Sequence, residues 1–308
     1  MTNPLVVTSE QEVRQRLSYA ELIPAMREAL IDLSAGRVQQ PVRTVIPVSK
    51  HNGWMGVMPA VYRGVCGAKL VTFYPGNGAR GIPTHMAMIL LFRAETGEPI
   101  AVLDGRLITE MRTAAVSAVA TEALSRQDSC VLAVLGSGVQ CRSHIEALRM
   151  VRSLDEIRVW SPDAARCRAC AEEVGAVAAL SADAAVRDAD IVVTVTSAAE
   201  PVLQGKWLKP GAYVNAVGAV GPRRRELDAE AMDATVIVES REAALIESGD
   251  ILIAGASIDA ELGEVLAGKF TPTPGRRVVF KSLGVAVEDL AAALLVTPGA
   301  MRPSAISN

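Results

Sequence analysis

From Ser129 onward the chain alternates short, almost wholly apolar runs with stretches of helical spacing. The runs are SCVLAVLG, EIRVWS, ADIVVTVTS, AYVNAVGAV, ATVIVES and RVVFKSLG. A strand with no polar face has to be covered on both sides, which is the condition of a parallel sheet flanked by helices. Helices are expected from about 139 to 150 and again up to Val174. The pattern predicts an α/β protein with a doubly wound parallel sheet. The chain has 308 residues, enough for two cores, and half of them are hydrophobic, which argues against disorder.

The first third has a different texture. Ser18-Tyr-Ala-Glu21 is a capping-box pattern, followed at helical spacing by Leu22, Met26, Ala29, Leu30 and Leu33, with Gly36 as the stop. Between Pro41 and Asp104 come short β-rich runs, with turns at Asn52-Gly53 and Glu95–Glu98. This part reads as an antiparallel sheet with one leading helix. An alanine-rich helix over 107–125 bridges to the parallel sheet, and a last helix from Glu288 to about Leu295 returns to the first domain. The expected domains are 1–117 with 291–308, and 118–290.

A net charge of −3 provides no basic field for nucleic acid or an anionic membrane, and Arg223-Arg224-Arg225 reads as solvated surface. No apolar run reaches the ~20 residues of a membrane span, and no leader pattern opens the chain. The expectation is a cytoplasmic protein. Cys66, Cys130, Cys141, Cys167 and Cys170 then read as reduced thiols. Cys167 and Cys170 have metal or redox spacing but no second pair, so they are assigned to a helix surface. His51, His85 and His144 are too scattered for a zinc cluster, and no metal is expected. His85 reads as a packed strand histidine. No serine or cysteine has a recognisable base, so no covalent nucleophile is expected.

Between the first strand of the alternating series and its helix stands GSGVQC, residues 136–141. Gly136 permits a tight bend. Gly138 lets the backbone approach a pyrophosphate resting on the helix N-terminus, and Cys141 is a small residue where a third glycine would allow close packing. A strand before, a helix after and a second strand at the right distance are the context this motif requires. The second strand ends in Trp160-Ser161-Pro162, with Asp163 beyond it. Ser161 does not repel a ribose 2′-phosphate, and Arg166 or Arg168 is placed to neutralise one. NADPH is favoured, with NADH possible.

Several ordered blocks give the chain a wider resemblance. They are AKLVTFYPGN, PTHMAMILLF, LITEMRTAAVSAVA, GSGVQCRSH, DIVVTVTS, WLKPGAYVNAVGA and FKSLGVAVEDL. Over nearly its whole length the sequence resembles the ornithine cyclodeaminase/μ-crystallin family. The resemblance implies a Rossmann domain, a discontinuous substrate and dimerisation domain, and a homodimer joined through the β-rich part. It also implies that Arg43, Lys69 and Arg112 gather around a substrate carboxylate. Thr84, Arg112 and Thr113 would reach the cofactor from the first domain, and Val139, Gln140, Ser161, Thr196, Val217 and Ser282 from the second. A guanidinium can grip a carboxylate through two parallel hydrogen bonds, and a lysine crowded by two arginines should lose its proton more easily. Met58, Val220 and Leu283 would form an apolar pocket wall.

The family pattern breaks where cyclodeamination needs acids. Ornithine cyclodeaminases carry an aspartate where this chain aligns Val220, and a second carboxylate where it has Gly56. Neither replacement can accept a proton or hold an ammonium group. Reducing a preformed cyclic imine needs only the carboxylate clamp, a hydride and one proton. The expected function is an NAD(P)H-dependent reductase of imino acids such as Δ1-pyrroline-2-carboxylate or its six-membered homologue. It depends on a cationic cluster with no acidic side chain beside it. The alternatives are ornithine cyclodeaminase, an alanine dehydrogenase-like enzyme, and a crystallin-like protein that binds cofactor and ligand without turnover.

Overall fold

The computed structural model describes residues 5–297. The elements in chain order are β1 (Val6–Thr8), α1 (Glu10–Arg16), α2 (Tyr19–Ser34), β2 (Thr44–Val48), β3 (Gly53–Tyr62), β4 (Val65–Phe73), β5 (His85–Arg93), β6 (Pro99–Asp104) and α3 (Arg106–Leu124). They continue with β7 (Val131–Leu135), α4 (Val139–Arg149), β8 (Glu156–Trp160), α5 (Ala164–Val174), β9 (Val177–Ala178), α6 (Ala182–Val186), β10 (Ile191–Thr194), β11 (Tyr213–Ala216) and β12 (Thr235–Val238). The last are α7 (Arg241–Glu247), α8 (Gly249–Ala254), β13 (Ala260–Glu261), α9 (Leu262–Leu266), β14 (Val278–Lys281) and α10 (Ala286–Val296).

Two compact units result: the chain up to Arg112 together with the chain from Val285 onward, and Thr113–Gly284. The expected limits at 117 and 291 fall about a helical turn later. The whole first turn of α10 belongs with β4, because Asp289 pairs with Lys69. The expected segment 291–308 lies outside the described residues from 298 onward.

In the first unit a six-stranded sheet runs β1-β6-β5-β4-β3-β2. Its inward face carries Met58, Ala60, Tyr62, Val71, Ile89 and Leu91, all buried, and α10 packs against α2, β3, β4 and β5. The sheet is not purely antiparallel: β1 pairs parallel to β6 at the edge. Two helices lead it instead of one. Ser9 and Glu12 form the reciprocal capping box of α1, whereas Ser18, the predicted capping residue, makes no side-chain cap and donates its hydroxyl to the Glu21 carboxylate. Gly36 does stop α2: at φ +72° its N–H donates to Leu33, and Arg37 N–H reaches back to Asp32, a Schellman closure.

The second unit is the doubly wound sheet, all parallel, in the order β13-β12-β14-β11-β10-β7-β8-β9. The chain leaves β7 towards β8 and β9, then returns to β10 on the other side of β7. That reversal is the switch point at which open α/β sheets hold ligands, beyond the carboxyl ends of the strands. Cys167 and Cys170 do not lie on a helix surface. Both are buried in the packing of α5; Cys170 Sγ approaches Cys141 Sγ on α4 at 3.6 Å, and Cys167 Sγ donates to the Val159 carbonyl at 3.3 Å.

Candidate active site

Lys69 occupies an inward-facing position of β4, between Met58 on β3 and Ile89 on β5. Strand alternation that buries Val65 and Val71 necessarily buries Lys69 too, at 1% exposure. A lone ammonium there would be prohibitively costly. It is paired: Lys69 Nζ donates to Asp289 Oδ1 at 2.8 Å and lies 2.7 Å from Oδ2. Asp289 also accepts from Arg112 Nε at 3.0 Å, and Arg112 Nη1 donates to Glu288 Oε2 at 2.5 Å. Both acids belong to the first turn of α10, where the helix N-terminus adds further favourable potential.

Burial, followed by repulsion from Arg112 and Arg43 and opposed by Asp289, brings the Lys69 pKa down to about 7. Burial alone would raise Asp289, but Arg112, Lys69 and Arg43 hold it below the usual aspartate range. Half-buried His85, the first residue of β5, is kept neutral by burial and by the Lys69 and Arg112 charges, with its pKa near 4.

The expectation of a cationic cluster without acids is therefore corrected. Lys69 and Arg112 are paired with Asp289 and Glu288, and Arg43 adds its charge to the field at Lys69 and Asp289. Nor does Arg112 present an uncommitted fork, since its Nε and Nη1 already serve Asp289 and Glu288. Neither acid stands at the cyclodeaminase positions. Gly56 is buried on β3, and a Cβ there would crowd Val71 Cγ1 at 3.0 Å and the Trp54 ring at 3.2 Å, so a larger side chain needs those neighbours to shift. Thr84 precedes β5, and its carbonyl accepts from Tyr74 N–H.

In the parallel-sheet unit Gly136 has φ +125°, and a Cβ on it would lie 2.7 Å from the Val195 carbonyl. Gly138 caps α4, and nothing lies within 4 Å of where its Cβ would be. Gln140 Oε1 is buried without a hydrogen-bond partner, and Val139 is half exposed. An open backbone approach, a helix N-terminus and an orphan acceptor fit a dinucleotide. Cys141 fills the third position by packing against α5.

At the end of β8, Ser137 and Ser161 share a hydrogen bond of 2.8 Å. Asp163 turns its carboxylate to the Ala165 and Arg166 amides as the cap of α5, while Arg166 and Arg168 are exposed. Thr113, Thr196, Val217, Val220 and Leu283 also belong to this unit. Ser282 is committed as a donor to Glu239 Oε1 at 2.7 Å.

The residues that sequence reasoning missed are mostly acids and their partners: Glu288 and Asp289 in one unit, and Glu226, Glu239, Asp250 and Lys281 in the other. The signal for Glu288 and Asp289 was faint, since two acids in a first helical turn are ordinary capping chemistry. Among the described residues no group of three potential ligands forms a metal site, and no helix is long and apolar enough to cross a membrane.

Fold and site together define a protein of the Rossmann dinucleotide-binding class with a second, β-rich unit that buries a titratable lysine. The model of the ornithine cyclodeaminase/mu-crystallin family matches residues 4–302. Ketimine reductase mu-crystallin of Mus musculus is 49% identical over 301 residues, 94% of this chain and 95% of that one. Among solved structures, Delta(1)-pyrroline-2-carboxylate reductase of Thermococcus litoralis, in complex with NADH and L-proline, superposes with a TM-score of 0.91 at 35% identity. The match covers 96% of this chain and 98% of that one. An archaeal alanine dehydrogenase dimer with bound NAD gives a TM-score of 0.90 at 32% identity, over 96% of each chain. The chain belongs to the ornithine cyclodeaminase/mu-crystallin family.

Proposed function

We propose that this protein is an NAD(P)H-dependent reductase of cyclic α-imino acids, forming proline or its six-membered homologue. The observation that carries the reading is the buried cluster of Lys69, Arg112, Asp289 and Glu288, in a chain whose positions 56 and 220 hold no acid. Gly136, Gly138, Val139, Gln140 and Thr196 would hold the cofactor, with Thr113, Val217 and Ser282 of the same unit completing its surroundings. Bound there, a reduced nicotinamide supplies a hydride to the imine carbon.

The chain's own residues do the rest. Arg112, buried and held in place by Asp289 and Glu288, binds the substrate carboxylate at little reorganisation cost, and Arg43 adds positive potential to the cluster. Lys69 gives a proton to the ring nitrogen as the carbon–nitrogen double bond is reduced. A group with a pKa near 7 is well matched to donate at neutral pH. Met58, the register partner of Lys69 on β3, shields the lysine stem. Asp289, held below the usual aspartate range by its cations, favours the protonated form of Lys69, which regains its proton from solvent, and is too weak a base for the role cyclodeamination requires.

Ser161, the engaged carboxylate of Asp163 and exposed Arg166 support a preference for NADPH over NADH. The outward face of the six-stranded sheet supports a homodimer. Val61, Cys66 and Phe92, then Pro59, Ala68 and Leu90, then Val57, Leu70 and Met88 form adjoining apolar rows. Met88 is 52% exposed, and a groove of about 570 Å³ crosses the same face. A patch of this kind on a lone subunit marks an interaction surface. Initial rates with pyrroline carboxylate, piperideine carboxylate, ornithine, and pyruvate plus ammonia test the reading. Fast cofactor oxidation with the cyclic imines alone supports it, and ammonia release from ornithine refutes it.

A further inference from the structure

Glu226 lies at the carboxyl ends of the central parallel strands, fully buried, and its carboxylate accepts five hydrogen bonds. Oε1 accepts from Thr196 N–H and Thr196 Oγ1, both at 2.7 Å. Oε2 accepts from Thr194 Oγ1 at 2.8 Å, Gly218 N–H at 2.6 Å and Ala219 N–H at 3.1 Å. One carboxylate thus ties the segment after β10 to the segment after β11. Gly218 makes the approach possible, because a Cβ there would sit 2.2 Å from the Thr196 carbonyl and 2.6 Å from Glu226 Oε1.

The acid is itself held. Asp250 Oδ1 accepts from Glu226 N–H and Leu227 N–H at 2.8 and 3.0 Å, and Asp250 Oδ2 lies 3.0 Å from Lys281 Nζ. Lys281 in turn donates to the Ala219 carbonyl at 2.7 Å. Burial pushes the Glu226 pKa upward, opposed by Lys281 and the Thr donors. A proton on either oxygen would point at an N–H or O–H donor, so the ionised form fits this geometry.

The segment after β10 is also the neighbour of the glycine turn, since Val195 is what a Gly136 Cβ would strike. Building on the dinucleotide reading above, we propose that Glu226 is the positioning residue for the cofactor crevice, setting the Val195–Thr196 wall against the Gly136 turn. It touches no reacting atom and acts through Thr196 and Gly218. Only a carboxylate can accept all five donors; a glutamine offers one oxygen and turns an NH2 towards the other donors.

The test measures NADPH and NADH dissociation constants by nucleotide fluorescence, and the melting shift each nucleotide induces, for wild type, Glu226→Gln and Thr194→Val. Both variants are expected to bind nucleotide more weakly, Glu226→Gln by about tenfold or more and Thr194→Val by a smaller factor. At saturating nucleotide, kcat and the imino-acid KM should stay within about threefold of wild type. A folded Glu226→Gln that binds nucleotide as wild type does overturns the proposal, as does an equal loss of imino-acid affinity, which would assign a general structural role. If Glu226→Gln does not fold, unchanged nucleotide binding by Thr194→Val overturns it. Wild type that binds neither nucleotide refutes the dinucleotide reading itself and the proposal with it.

Discussion

Lys69 shows how one strand position can create chemistry. Its place in the alternation buries an ammonium, and the resulting cost is met by Asp289, 220 residues away in the chain. Replacing Asp289 with alanine leaves two buried cations short of a partner and should destabilise the protein by about 3–5 kcal/mol, readable in chemical denaturation. The milder Asp289→Asn change removes the charge that supports the protonated lysine. The alkaline limb of kcat, expected to fall as pH rises through the Lys69 pKa, should therefore move to lower pH; an unmoved limb contradicts the assigned role. His144 is a second buried titratable group, accepting or donating at 3.0 Å with Ser117 and bonded to the Gln140 carbonyl at 2.8 Å. Burial lowers its pKa from 6.5 to about 4. The unfolded chain binds more protons between those values, so stability falls as pH drops through that window. Melting temperatures from neutral pH to about 4 should show a slope that His144→Gln reduces. Lys69 and Arg112 stand out in the sequence because each lies in a block that carries the family resemblance. Asp289 does not, because an acid in a first helical turn already has a local explanation.

At the scale of elements, the long apolar strands and the helices between them were readable because nothing except a doubly covered parallel sheet satisfies such runs. The strands that escaped, β1, β9 and β13, have two or three residues and no periodicity to detect, and α1, seven residues long, is too short to show one. Cys167 and Cys170 were misplaced for a different reason. Their spacing of three puts them on one helix face, which is equally the signature of a packed stripe. The glycine turn yields a discriminating pair of variants. Gly138→Ala meets open space at an ordinary backbone angle, so the apo protein should melt close to wild type, yet the methyl group would obstruct the pyrophosphate and weaken nucleotide binding by about tenfold or more. Gly136→Ala combines a positive φ with contact at Val195 and should lower apo stability itself. Calorimetry of both apo variants, followed by nucleotide titration, checks the contrast. Equal nucleotide affinity in Gly138→Ala and wild type would contradict the assigned cradle.

At the scale of the whole molecule, the outward sheet face and the buried charge cluster make separate claims. The proposed homodimer predicts a dimer mass for wild type in light scattering and a monomer mass for Leu90→Glu, which charges that face and leaves the buried Lys69 pairing intact; a wild-type monomer, or an unchanged mass in the variant, contradicts it. The central claim is that hydride ends in the product, as in imine reduction, and is not recycled, as in cyclodeamination. Its most direct measurement is the mass of the proline formed from Δ1-pyrroline-2-carboxylate with a reduced cofactor deuterated at both positions of its hydride-bearing carbon. The account predicts a single deuterium on the α-carbon of every proline formed. Proline without deuterium, or proline arising from ornithine with ammonia and catalytic NAD, would contradict it.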